Sequence, residues 1–165
     1  MLPRPLCNAA WAFLMLATLS FSVMASDLPE LGKMVQEDTF LSSGQLGIVS
    51  LGAQTYLVSV GQGPAIAKTA DAQVKAMKVA RSNALSRLTK FIHGSQVTVE
   101  EQFISVRTVI REGTSPPTAQ QKESWQSTIR EQGTGLLQNL LDVANWNNPD
   151  GIIYYQALAI LIPEK

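Results

Sequence analysis

Hydrophobic and polar positions change period along this chain, and the longest helical period lies at residues 69–92 (TADAQVKAMKVARSNALSRLTKFI). At about 100° per residue from Ala70, the side chains of Val74, Met77, Ala84, Leu85, Leu88, Phe91 and Ile92 fall within roughly 60° of one direction. Lys68, Lys75, Lys78, Ser82, Asn83, Ser86 and Lys90 lie mostly on the other sides. The stretch has neither Pro nor Gly, is rich in Ala, and meets Gly94 just after His93, a natural left-handed stop. It predicts one long amphipathic helix.

Around that helix the period is nearer two. Residues 47–60 (GIVSLGAQTYLVSV) hold two β-rich runs, 48–51 and 55–60, with Gly52-Ala53-Gln54 as a hairpin loop. Apolar side chains take both parities in the second run, the pattern of a strand covered on both faces. Gly61-Gln62-Gly63-Pro64 is expected to break it. Residues 97–110 change parity between Val97, Val99, Phe103 and Ile104, Val106, Ile110, which predicts a bulged strand or two in succession. Trp125, Ser127 and Ile129 alternate with polar neighbours as a half-buried strand, and Gly133-Thr134-Gly135 turns the chain. Residues 136–146 suit helix or strand. The Asn147-Asn148-Pro149-Asp150-Gly151 turn, followed by the apolar run 152–162, favours strand. Residues 112–122, around Pro116-Pro117, read as an exposed connection. Leu31, Met34 and Val35 stand at helical spacing in 26–39, a short helix or turn laid on the body. The order β-β-α-β-β-β-β predicts an α+β fold: one long helix packed on a curved, mainly antiparallel sheet.

The first residues change the picture of where such a domain works. MLPRPLC carries one Arg, an uncharged and largely apolar run follows to residue 26, and Val23-Met24-Ala25 precedes Ser26. That order predicts a cleavable signal peptide at 1–25 and export to the periplasm. The alternative, a retained anchor, needs a longer uninterrupted apolar run of ~20 residues. The expected layout is then 1–25 as leader, 26–46 as a short helical segment and 47–165 as a single domain. Cys7, the one cysteine, precedes the apolar run, so it is misplaced for lipidation, and the mature chain has no thiol for a disulfide or zinc site. Losing Arg4 from thirteen basic residues leaves twelve against thirteen acidic ones, a charge near −1 with no footprint for nucleic acid.

Candidate chemistry is sparse. Arg81 lies near the middle of the apolar face, where a guanidinium is not expected. Its stem can pack on the sheet with the head at an edge. It can form a partly buried ion pair with Glu100, Glu101 or Asp142, or it can bind a carboxylate or phosphate ligand. His93, the lone histidine, suits a cap at the helix C-terminus better than a metal ligand without companions. Glu100 and Glu101 are strand neighbours that point to opposite faces, so they make a poor acid–base pair. Gly61-Gln62-Gly63 lacks a third glycine and reads as a turn, not a nucleotide loop. Trp125, Trp146, Tyr154 and Tyr155 are core or sheet-edge residues, or a protein-binding patch if they share a solvent face. No catalytic, cofactor or metal set emerges.

Several residues resemble a family. Ala80-Arg81-x-x-Ala84-x-x-x-Leu88 on the helix, Gly135-x-Leu137 before a strand ending near Trp146, and a final strand bearing Tyr154 and Tyr155 run in one order. Across roughly residues 55–162 this resembles the small bacterial envelope lipoproteins of the twenty-kilodalton type and the N-terminal domain of flagellar H-ring assembly protein T. The chain departs from them in having no lipobox Cys and no room for the flagellar protein's other domains. The resemblance implies an exported, non-enzymatic domain that works through surfaces, on envelope proteins or on a second copy of itself. A binding module for a lipid, peptide or glycan between helix and sheet is the alternative.

Overall fold

The computed structural model describes residues 27–93, 107–110 and 116–163. The signal peptide expected at 1–25, the strand expected from Val97 to Phe103, and Glu100 and Glu101 lie outside the described residues. A helix over 27–37 (α1) buries Leu31 and Val35, one turn apart. Asp38 ends it and caps the next helix, Thr39–Ser42 (α2), its Oδ1 accepting from the amides of Phe40 at 3.0 Å and Leu41 at 2.9 Å. Strands Leu46–Leu51 (β1) and Gln54–Pro64 (β2) form the expected hairpin about Gly52, whose φ of 60° is one that glycine adopts without a Cβ clash.

The long helix is Ala70–His93 (α3), followed by strand Arg107–Ile110 (β3), helix Ala119–Leu136 (α4), a 3₁₀ turn at Leu137–Asn139, and strands Leu141–Asn147 (β4) and Ile153–Ile162 (β5). The sheet order is β3-β1-β2-β5-β4, antiparallel throughout except for the β1–β3 pair. The α+β reading holds: a long helix lies on one five-stranded, mainly antiparallel sheet.

Four expectations fail for physical reasons. Residues 125–130 are helical, not a strand. Thr118 and Gln121 close a capping box at the start of α4, and Trp125, Thr128, Ile129, Gly133 and Leu136 then bury one face at helical spacing. The same box takes residues 119–122 out of the exposed connection, and α4 runs straight through Gly133-Thr134-Gly135. The order becomes β-β-α-β-α-β-β. Nor do Gly61 to Pro64 break β2, which pairs with β5 without interruption from Thr55↔Ile162 to Pro64↔Ile153. The ambiguous stretch divides into the end of α4, a 3₁₀ turn and a strand.

Alternation along the strands sorts two apolar clusters onto the two faces of the sheet. Tyr56, Val58 and Val60 meet Leu31, Val35 and Leu41 beneath α1 and α2. Leu57, Leu158, Ile160 and Ile162 meet Leu88, Phe91, Trp125 and Ile129 beneath α3 and α4. β2 is therefore buried on both sides, as its unalternating sequence predicts.

Candidate functional site

How α3 sits on the sheet decides which of its residues face outward. Its buried residues are Ala76, Ala80, Ala84, Leu88, Phe91 and Ile92. This face is rotated by roughly 45° from the one the large apolar side chains would choose. The cause lies in β2. A Cβ built on Gly61 would stand 1.9 Å from the carbonyl oxygen of Ala80, and one on Gly63 would stand 1.9 Å from that of Ala76. Glycine on the strand and alanine on the helix bring the two backbones together, so the alanine stripe faces down. Asn83 Nδ2 donates to the Gln62 carbonyl at 2.8 Å, and Arg87 Nη1 donates to that of Val60 at 2.7 Å, fixing the helix along one flank.

The rotation leaves Val74 and Leu85 exposed, and Met77, close in azimuth to the buried face, is exposed as well, against the expectation that all three are core. With Val79, Ile66 and Ile152 they make up the exposed large hydrophobics among the described residues. Five of these six belong to residues 66–85. The sixth is held beside them, because the Ala65 amide donates to the Ile152 carbonyl at 2.7 Å. Ile66 is 98% exposed, so it contributes nothing to the core. The exposed apolar surface is gathered on one helix and the loops at its start.

Beside α3 the sheet forms a shelf. Cross-strand partners share a face, so three rows run outward under the helix: Gly63, Tyr154, Asn147; then Gly61, Gln156, Asn145; then Ser59, Leu158, Asp142. Arg81 spans the third row and pairs with Asp142, whose Oδ1 also accepts from Gln156 Nε2 at 3.3 Å. Of the three readings of Arg81, the structure therefore has the ion pair with Asp142, with both side chains about half exposed (48% and 55%) and not buried. The guanidinium reaches water at the sheet edge, as the first reading also had it.

The aromatic candidates are not brought together. Trp125 is buried between α4 and the sheet. Trp146 and Tyr155, cross-strand partners, stack at 5.3 Å between ring centroids and 6° between planes on the α1 face. Tyr154 stands on the opposite face, in the shelf. His93 ends α3 and lines a shallow hollow of about 280 Å³ with Arg130 and Gly133. A wider groove of about 640 Å³ runs between α1 and β3, lined by Glu30, Lys33, Met34, Glu37, Asp38, Val109 and Ile110. Neither hollow lies between α3 and the sheet. Among the described residues no three His, Cys, Asp or Glu side chains are placed to hold a metal ion, and no helix is long and apolar enough to cross a membrane.

Sequence reasoning missed Ile66, Val79, Ile152 and Gln156 as surface or site residues. The signal for the bare flank was present in the Gly-x-Gly of β2 and the i, i+4 alanines of α3, which together mean close helix–strand packing. Comparison with protein-family models, with curated proteins and with solved structures returns no match.

Proposed function

We propose that this chain is an exported envelope domain that works by binding another protein, without catalysis, and that the surface it uses is the outward flank of α3. The observation that carries the reading is that Val74, Met77 and Leu85 are exposed along one flank of α3, with Ile66 and Ile152 exposed in the loops beside its start. Scattered exposed hydrophobics need no explanation, but a gathered patch on a folded domain marks an interaction site. The leader-like residues 1–25 and the resemblance to envelope lipoproteins and the flagellar H-ring protein support export and assembly as the setting. The alternative, a ligand held between helix and sheet, has little room: the glycine–alanine contact occupies that place.

The test is made in cells producing the full chain. The reading expects a periplasmic protein whose mature N-terminus is Ser26, and discrete adducts after brief formaldehyde treatment. A cytoplasmic chain that retains Met1 and yields no adduct would refute it.

A further inference from the structure

The two helices on this face are held to the sheet by different means. α3 meets β2 backbone to backbone at Gly61 and Gly63, and Asn83, Arg87 and the Arg81–Asp142 pair tie its flanks to the strands. None of these contacts involves α4. The cluster beneath α1 lies on the other face of the sheet and does not involve it either. α4 is anchored by Trp125, Ile129 and Leu136, the three large apolar side chains it buries. Without α4, the sheet, α1, α2 and the seat of α3 keep these contacts.

Three features work against the closed state of α4. Gly133 and Gly135 stand inside the helix, and each weakens it about fivefold relative to Ala. Thr128 is fully buried, yet its hydroxyl has no hydrogen-bond partner among the described residues, and water supplies one when the helix leaves. The seam with α3 is also imperfect: a hollow of about 280 Å³ is lined by Ile92 and His93 of α3 and by Arg130 and Gly133 of α4.

What α4 covers continues the exposed line of α3. Val74, Leu85 and Ile92 lie at about 40°, 60° and 40° from Ala70 on the helical wheel. Val74 and Leu85 are exposed, whereas Ile92, two turns beyond Leu85, is buried. A Cβ on Gly133 would stand 2.3 Å from the Ile92 Cγ2, so the two helices touch there. We infer that α4 is a lid: it detaches as a unit while the rest of the fold stays in place, and its opening adds Ile92 to the apolar line of Val74 and Leu85. An 18-residue helix with two internal glycines does not persist once its buried face is lost, so detachment and unwinding coincide. The device stands whether or not that line binds another protein.

The test is native-state hydrogen exchange on the mature chain, read residue by residue by NMR in dilute urea. Protection of the amides from Trp125 to Gln132 in α4 should be at least tenfold lower than from Ala80 to Leu88 in α3. Val58→Ala opens a cavity beneath α1, on the face away from α4. It should speed exchange in α3 about tenfold or more and leave α4 unchanged, because the closed and open states share that cluster. A second variant, Ile92→Cys with Gly133→Cys, puts the two Cβ atoms 3.5 Å apart, within disulfide range. Residues 26–165 hold no other cysteine to compete. Oxidation should slow exchange in α4 at least tenfold, and reduction should restore it. Equal protection of α3 and α4, equal acceleration of both by Val58→Ala, or exchange in α4 that ignores the disulfide overturns the inference.

Discussion

Replacing Gly61 by Ala places a methyl group where the backbone of α3 already lies. The new Cβ would stand 1.9 Å from the Ala80 carbonyl oxygen and 2.4 Å from the Ala84 amide nitrogen. Ordinary contact begins near 3.4 Å, so the helix must lift by about 1.5 Å, or the strand must sink by as much into the cluster under α1. Both obstructing atoms are backbone, so no rotamer change relieves them. A gap of 0.5–1 Å already forfeits roughly a quarter to a half of a dispersion contact, and the lift is felt by Ala76, Ala80 and Ala84 together. Overpacking commonly costs about 1–3 kcal/mol. With no side-chain relief the expected loss is about 3 kcal/mol or more, after the small gain from a less flexible unfolded chain. At several degrees per kcal/mol for a domain of this size, the melting temperature should fall by about 10 °C or more. The assay is thermal and urea unfolding of the mature chain by circular dichroism at 222 nm. A variant that melts within about 2 °C of the parent would refute the account of how α3 is seated. The exposure of its flank would then need another cause.

The remaining predictions probe separate parts of the fold. Gly135→Ala, inside α4 with nothing within 4 Å of the new methyl group, should raise stability by about 0.5–1 kcal/mol in the same unfolding assay. Arg81→Met breaks a half-exposed ion pair and should cost no more than about 1 kcal/mol, with the difference from the parent shrinking as salt is added. The Tyr56 hydroxyl, which donates to Gln54, is pushed above its ordinary pKa near 10 by burial and then by the charge of Asp27. Its proton is held more tightly in the folded chain, so its contribution is complete below about pH 10 and is lost as pH rises through the folded value. Absorbance titration at 295 nm should lose a late step in Tyr56→Phe, and the same substitution should flatten the alkaline loss of stability.

Much of the fold was legible because its strands and its long helix carry strong periods. β2 announced its burial by losing alternation, and the hairpin at Gly52 and the turn before β5 announced themselves by Gly and Asn. In that second turn Asn148 Oδ1 accepts from the amides of Ile152 and Ile153, both at 2.9 Å. What was misread came from residues that satisfy two periods. Trp125, Ser127 and Ile129 alternate, yet Trp125, Thr128 and Ile129 also make a helical stripe, and the Thr118–Gln121 box decides between them. Gly133 looks like a turn residue, but it is the space that Ile92 needs. The orientation of α3 was the costliest error for the site. Large apolar side chains dominate a helical wheel, whereas the packing followed the smallest ones, and this set Val74 and Leu85 outside. Arg81 then came to lie beside the buried face, within reach of Asp142 on β4, the one described carboxylate among the three partners proposed for it.

The most direct test of the central claim is site-resolved photocrosslinking in cells. A benzoylphenylalanine at Val74 or Met77 reports on the open flank of α3, and one at the exposed Gln36 of α1 reports on the opposite layer. The account predicts a discrete protein adduct from positions 74 and 77 that is absent from position 36. Adducts from position 36 alone, or equal labelling at all three, would contradict it.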